Sequence, residues 1–275
     1  MQFRFTGVIF LCLLSSIVLG QTHDHDKTEI DSVTFQQTRK VLMDLSVEKY
    51  LKRTFYYGEV VLPYRLLLPE GIDSGEKSPL VITLHNSSRI GNDNENQLEP
   101  LARIWLRNEI FNQYKCFVVA PHFSKRSSDY TSDKQGMLVS NPSDDVFALL
   151  KLIDSLANEY PAIDTNRIYL VGYSMGGSTA QNLLSIAPAK FAAIVSIAGV
   201  PDMSNIIGIS RKSIWLIHGE KDNENPYRGS QLLYRKLSRN KNLTFTTFRN
   251  LDHHNINIPL LISDEIPRYL FSKRK

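Results

Sequence analysis

Six short apolar runs recur along the chain: "PLVITLH", "CFVVAPH", "RIYLVGY", "AAIVSIAG", "IWLIHG" and "LTFTTF". Each is nearly free of charge and each is closed by Gly, Pro or polar residues. Such runs, apolar on both alternating sets of positions, fit strands buried on both faces of a sheet. Between them the period changes. In "SDDVFALLKLIDSLANEYP", Val146, Leu149, Leu150, Ile153 and Ala157 return at steps of three and four, which predicts a helix with one apolar face. Ser143 stands at its N-cap position, Asp144 and Asp145 complement the positive helix start, and Pro161 marks its end. "MGGSTAQNLLSIAP" and "GSQLLYRKLSRN" repeat the helical period after the third and fifth runs. Upstream, "FYYGEVVLPYRLLLPEG" reads as two strands about a glycine turn, an antiparallel hairpin. The alternation predicts an α/β chain with a mostly parallel central sheet and helices on both faces.

The first twenty residues, "MQFRFTGVIFLCLLSSIVLG", place one positive charge before an apolar run that ends in small residues, the pattern of a cleavable signal peptide. A membrane anchor is the other reading, but the run is short and is interrupted by Ser15 and Ser16. Export to the periplasm or the cell exterior is therefore expected. With residues 1–20 removed, Cys116 is the one remaining thiol, so no internal disulfide can form. Its place at the head of "CFVVAP" makes it a small core residue. "THDHDKTE" reads as a solvated linker at the new terminus, in which His23 and His25 hold no metal. A chain of 275 residues, 42% hydrophobic and 22% charged, can bury a globular core. Its formal net charge of +4 includes Arg4 of the leader and is spread without a long basic block, which gives no basis for a nucleic-acid partner.

The stretch with chemical content is "VGYSMGGST". Gly172-Tyr173-Ser174-Met175-Gly176 follows an expected strand directly and opens an expected helix, the context in which Gly-x-Ser-x-Gly raises a serine over the end of a sheet. A serine hydroxyl needs a base, and the base an orienting acid, here expected later in the chain. Asp222 in "IWLIHGEKDNENPY" follows the next-to-last strand, with Glu220 and Glu224 as neighbouring alternatives. "FTTFRNLDHHNINIP" offers His253 and His254 after the last strand. An oxyanion would need two N–H donors, one being the amide of Met175 and the other from the loop "LHNSSRIGNDN" after the first parallel strand.

Together, "LPYRLLLPEGIDSGEKSPLVITLHNSSRIGNDNENQL", "DTNRIYLVGYSMGG", "FAAIVSIAG" and "IHGEKDNENP" resemble the α/β-hydrolase superfamily. Within it the chain is similar to the secreted esterase branch related to feruloyl and acetyl xylan esterases, phospholipase/carboxylesterase-type enzymes and predicted peptidases. The likeness runs from about Leu62 to the C-terminus. It implies Ser174 as nucleophile, Asp222 as acid and, from Phe248 five positions before and Ile256 three after, His253 rather than His254 as base. It also implies Ser87 as the second oxyanion donor beside Met175. One departure stands out: the family loop reads His-Gly-x-Gly, whereas this chain has His85-Asn86-Ser87-Ser88. Because Asn tolerates the left-handed region, Asn86 is expected to keep the glycine's backbone shape.

The resulting expectation is a signal peptide (1–20), a lead-in segment (21–50) and an α/β-hydrolase catalytic domain (51–275) without a large lid, since the chain from Ala198 to Ser213 is short. The expected activity is hydrolysis of small carboxylic esters, or of acetyl or feruloyl groups on oligosaccharides, with no cofactor, no metal and no membrane partner after cleavage. A peptidase of the same fold and a noncatalytic binding protein are the competing classes, the second favoured by the altered 86–88 loop.

Overall fold

A computed structural model describes residues 20–71, 73 and 75–275, so the signal-peptide reading lies almost wholly outside the described residues. The strands are β1 (Thr22–Asp26), β2 (Tyr50–Tyr57), β3 (Val60–Leu67), β4 (Ser78–Leu84), β5 (Phe117–Pro121), β6 (Ser128–Ser132), β7 (Leu138–Pro142), β8 (Ile163–Tyr173), β9 (Ala193–Ile197), β10 (Ser213–Gly219) and β11 (Leu243–Phe248). The helices are α1 (Ser32–Met43), α2 (Pro100–Arg103), α3 (Asn108–Gln113), α4 (Asp144–Glu159), α5 (Met175–Ile186), α6 (Ile206–Ile209), α7 (Tyr227–Lys236), α8 (Ile258–Leu261) and α9 (Glu265–Phe271).

The six apolar runs are β4, β5 and β8 to β11, all interior to one sheet of order β1-β11-β10-β9-β8-β4-β5-β3-β2. Neighbours from β1 to β5 in that order are parallel. The β2–β3 hairpin joins antiparallel at the β5 edge, turning at Gly58 with φ +58°. Period two explains why both faces are apolar. Val81, Val118, Val171, Val195 and Ile217 enter the core under α1, α2, α3, α8 and α9. Leu80, Val119, Leu170, Ile194 and Leu216 enter the other core, under α4, α5 and α7. This is the α/β-hydrolase architecture expected from the sequence, with Val146, Leu149, Leu150 and Ile153 of α4 buried. Ser143 does occupy the N-cap position of α4, but its hydroxyl makes no capping bond.

Two features depart from the reading of the sequence. The 21–50 segment is not a lead-in but part of the domain. Thr22–Asp26 pair in parallel register with Thr244–Phe248, closing what would otherwise be an unpaired edge of β11. His23 stacks on Phe245 and its Nε2 lies 2.8 Å from Thr247 Oγ1, so the supposed linker is an edge strand. α1 follows, capped by the Asp31 side chain on Thr34 N at 2.7 Å, with Thr38 and Leu42 buried. The second feature is the β6–β7 hairpin between β5 and α4, for which the chain shows no apolar run. It is held to α5 by buried polar groups: Ser127 Oγ to Thr179 Oγ1 at 2.8 Å, and Ser128 Oγ donating to Asn182 Oδ1 at 2.6 Å.

Candidate active site

Strand order reverses about β4: the chain passes from β4 to β5 on one side, then returns to β8 on the other. Loops leaving the carboxyl ends of β4 and β8 therefore face one crevice. The register sets Leu84 opposite Gly172, which brings the residues after each strand, Asn86 to Arg89 and Ser174, to the same rim. Asp222 leaves β10 and His253 follows β11 on that rim.

Ser174 has φ 57° and ψ −119°, a backbone region costly for any residue with a Cβ. The surroundings impose it: Ser174 N donates to Ile197 O at 2.8 Å and Ser178 N to Ser174 O at 3.1 Å. The turn is tight enough that only glycine fits beside it. A Cβ on Gly176 would stand 2.0 Å from Leu84 O, and one on Gly172 would stand 2.2 Å from Gly176 O.

The structure brings Ser174, His253 and Asp222 together. His253 Nε2 lies 2.8 Å from Ser174 Oγ, and His253 Nδ1 lies 2.7 Å from Asp222 Oδ2. The carboxylate can only accept, so Nδ1 carries the hydrogen and Nε2 accepts from the serine hydroxyl. An imidazole in this tautomer can take the serine proton as Oγ attacks a carbonyl carbon. His254 goes elsewhere: its side chain is 75% exposed and its Nε2 meets Glu224 at 3.1 Å. Glu220 is exposed, and Glu224 lies on the rim, 3.5 Å from His253 Nε2.

Asp222 has three further supports. Its Oδ1 accepts from Glu224 N at 3.0 Å and Asn225 N at 2.8 Å, and its Oδ2 meets a second histidine, His218 Nε2, at 3.1 Å. Burial alone would raise its pKa, but the bonds from His218 and His253 outweigh it and hold the carboxyl well below the usual range. His218 is fully buried, its Nε2 also 2.8 Å from Asn225 O and its Nδ1 2.7 Å from Ser230 Oγ. Sequence reasoning passed over it, although "HGEKD" puts it one turn of chain before the acid. Tyr173 OH donates to His253 O at 2.5 Å and fixes the loop that carries His253.

Met175 N begins α5 and Ser87 N begins a 3-10 turn over Ser87–Arg89; among the described residues neither N–H has an acceptor. Ser87 lines both hollows that flank Ser174. Asn86 does not keep a left-handed shape. It sits at φ −78° and ψ 170°, where its side-chain Oδ1 caps the turn by accepting from Ser88 N at 2.9 Å and Ser88 Oγ at 2.7 Å. The two lost glycines are thus replaced by an Asn cap rather than by an imitation of glycine.

The same turn is pinned from below by groups the sequence did not mark. Phe123 N donates to His85 Nε2 at 3.1 Å, so His85 Nδ1 carries the hydrogen to Asn86 O at 2.8 Å. Burial lowers His85 to about 4, which keeps it neutral. Asn94 N donates to His122 Nδ1 at 3.1 Å, so His122 Nε2 donates to Arg89 O at 2.9 Å. Glu99 accepts from Asn86 N at 3.2 Å and from Asn86 Nδ2.

Burial raises the Glu99 carboxyl to about 7, against the pull of Arg89 and the Asn86 bonds. Its folded value lies above the ordinary 4.5, so its contribution to stability is full below that value and is lost as pH rises through about 7. Between pH 5 and pH 8 the wild-type protein is expected to lose on the order of 3 kcal/mol that Glu99→Gln does not. Denaturant unfolding at the two pH values measures this, and parallel losses in both proteins would count against the assignment.

Residues 114–215 match the model of the prolyl oligopeptidase family, and no curated protein matches the chain. Among solved structures, a thermostable esterase is 31% identical, with a TM-score of 0.75 over 83% of this chain and 64% of its own. The Pyrococcus furiosus esterase Pf2001 is 17% identical, TM-score 0.61, over 92% of this chain and all of its own. An acylaminoacyl peptidase of Pyrococcus horikoshii is 17% identical, TM-score 0.55, over 88% of this chain and 42% of its own. The chain thus spans less than two thirds of the thermostable esterase and about two fifths of the peptidase. With this sheet order, the serine turn between β8 and α5 and these likenesses, the chain has the α/β-hydrolase fold.

Proposed function

We propose that this protein is a serine hydrolase of small carboxylic esters. The observation that carries the reading is the unbroken chain from Ser174 Oγ to His253 Nε2 at 2.8 Å and from His253 Nδ1 to Asp222 Oδ2 at 2.7 Å. Ser174 Oγ attacks the ester carbon as its proton passes to His253 Nε2, and the oxyanion is met by Met175 N–H and Ser87 N–H. The imidazolium, held by Asp222, gives the proton to the leaving alcohol. Water then attacks the acyl-enzyme and loses a proton to His253, which passes it to Ser174 Oγ as the acid leaves and the serine is restored. These steps use the chain's own groups and water. The leader at 1–20 supports an exported enzyme, acting on acetyl, feruloyl or similar esters of small molecules or oligosaccharides.

The walls beside Ser174 are largely charged: Arg39, Arg89 and Glu224, with Phe35 and Tyr173, on one side, and Arg126 and Asp129, with Tyr130, on the other. A growing alkyl chain finds little there to cover it. A tunnel that buried each methylene would raise kcat/KM by roughly fourfold per carbon, about 0.8 kcal/mol each. On p-nitrophenyl esters from acetyl to palmitoyl, kcat/KM is expected to stop rising by butyryl, and a continued climb would remove the short-chain reading.

The match over 114–215 favours a second reading, a peptidase acting on amides through the same serine. Acyl-peptide anilides in the same assay separate the two: faster turnover of the anilide than of the ester would select the peptidase.

A further inference from the structure

Two guanidiniums beside Ser174 have no part in the chemistry above. Arg39 of α1 and Arg89 at the end of the 3-10 turn line one hollow of about 360 Å³ that also holds Ser174 and His253. Phe35, one helical turn before Arg39, supports that guanidinium at 5.5 Å from its ring centre. Arg39 makes no ion pair among the described residues. Among the described residues Arg89 Nε has no hydrogen-bond partner, and the Glu99 carboxyl, 4.0 Å away, stands at ion-pair rather than hydrogen-bond distance. Two nearby carboxyls reduce the positive field without cancelling it. Glu99, raised by burial to about 7, is only partly ionised near neutral pH, and Glu224 meets His254 Nε2 at 3.1 Å.

We infer that this hollow selects esters whose alcohol portion carries a carboxylate, bound by Arg39 and Arg89. The inference rests on the ester-hydrolase reading of Ser174 and His253. It falls on the alcohol side because the leaving oxygen must take its proton from His253 Nε2. His253 lines this hollow but not the one beside Arg126 and Tyr130. A single negative charge fits better than a phosphate dianion, since Glu224 shares the wall. Planar guanidiniums suit a carboxylate's two oxygens.

The test compares 3-acetoxybenzoate with 3-acetoxybenzamide, alike in shape and differing in charge. In the wild-type protein kcat/KM is expected to favour the acid by about tenfold, the low end for a charged hydrogen bond at a part-exposed site. Arg39→Gln and Arg89→Gln are each expected to bring the ratio down, together to about one, and Arg39→Lys to restore part of it. The ratio within one variant cancels any general loss of activity, and salt is expected to lower it. Labelling of Ser174 by a neutral fluorophosphonate is followed in parallel. Labelling with a wild-type ratio near one, or a ratio unmoved by both Gln variants, overturns the arginine assignment and leaves the hydrolase reading intact. Folded protein that is neither labelled nor active on either ester overturns the hydrolase reading and this inference with it.

Discussion

Ser174→Ala is expected to lower kcat for ester hydrolysis by roughly a million-fold without unfolding the protein, and His253→Ala by a comparable factor. The two losses should be similar, and the double variant little worse than either, because hydroxyl and imidazole act as one unit. Among the described residues Ser174 Oγ bonds only to His253 Nε2, and His253 lines the open hollow, where water can take the place of the lost hydroxyl. His254→Ala is the matched control. That ring is exposed and, among the described residues, reaches only Glu224 and the neighbouring His253 ring, so its loss should cost less than about tenfold, within the range of a rim charge. Steady-state kinetics on an acetyl ester, with thermal unfolding to show that each variant is folded, measure all four. Turnover by Ser174→Ala near the wild-type rate would end the serine reading, and a larger loss from His254→Ala than from His253→Ala would move the base.

What could be seen in the sequence follows from what each segment has to bury. β4, β5 and β8 to β11 lie inside the sheet, so both sets of alternating positions must be apolar and the runs stand out. β1 and the β6–β7 hairpin have no such requirement. Thr22–Asp26 needs only backbone pairing along β11, and its side chains are mostly exposed, so "THDHD" looks like a linker. Ser128–Ser132 is tied to α5 by hydroxyls and amides, which leave no hydrophobic period to read. Within "THDHD" only the strict alternation of His with Thr or Asp hints at a strand.

The site divides in the same way. Ser174, Asp222 and His253 occupy fixed places after β8, β10 and β11, and order along the chain finds them once the strands are known. The groups that hold them are long-range contacts. Glu99, His85 and His122 reach the 86–89 turn from a short helix start and two strand ends, and only the fold shows that they converge. Arg39 is the furthest case: its helix was assigned to a lead-in, and no local pattern ties it to a crevice formed far along the chain.

Replacing Ser87 by proline should lower kcat by about 100- to 1000-fold, the cost of one oxyanion donor, with a much smaller change in KM. The backbone of the turn accepts proline in place of this N–H. Ser87 is the first residue of its 3-10 turn, a position proline accepts because that N–H has no partner within the turn. Asn86 already holds φ −78° and ψ 170°, the extended region that a following proline requires. Nothing else in the turn depends on the lost hydrogen: Ser88 N still reaches Asn86 Oδ1, Arg89 N still reaches Asn86 O, and His85 and His122 still hold the carbonyls on either side. Ser87→Ala keeps the N–H and should stay within about threefold of wild type, since it removes only a side chain on the cleft wall. Met175 cannot be tested this way, because proline there would disturb the strained backbone of Ser174. If Ser87→Pro is folded, labels normally at Ser174 and turns over at the wild-type rate, the second donor lies elsewhere on the rim and the Asn86 cap serves only the fold.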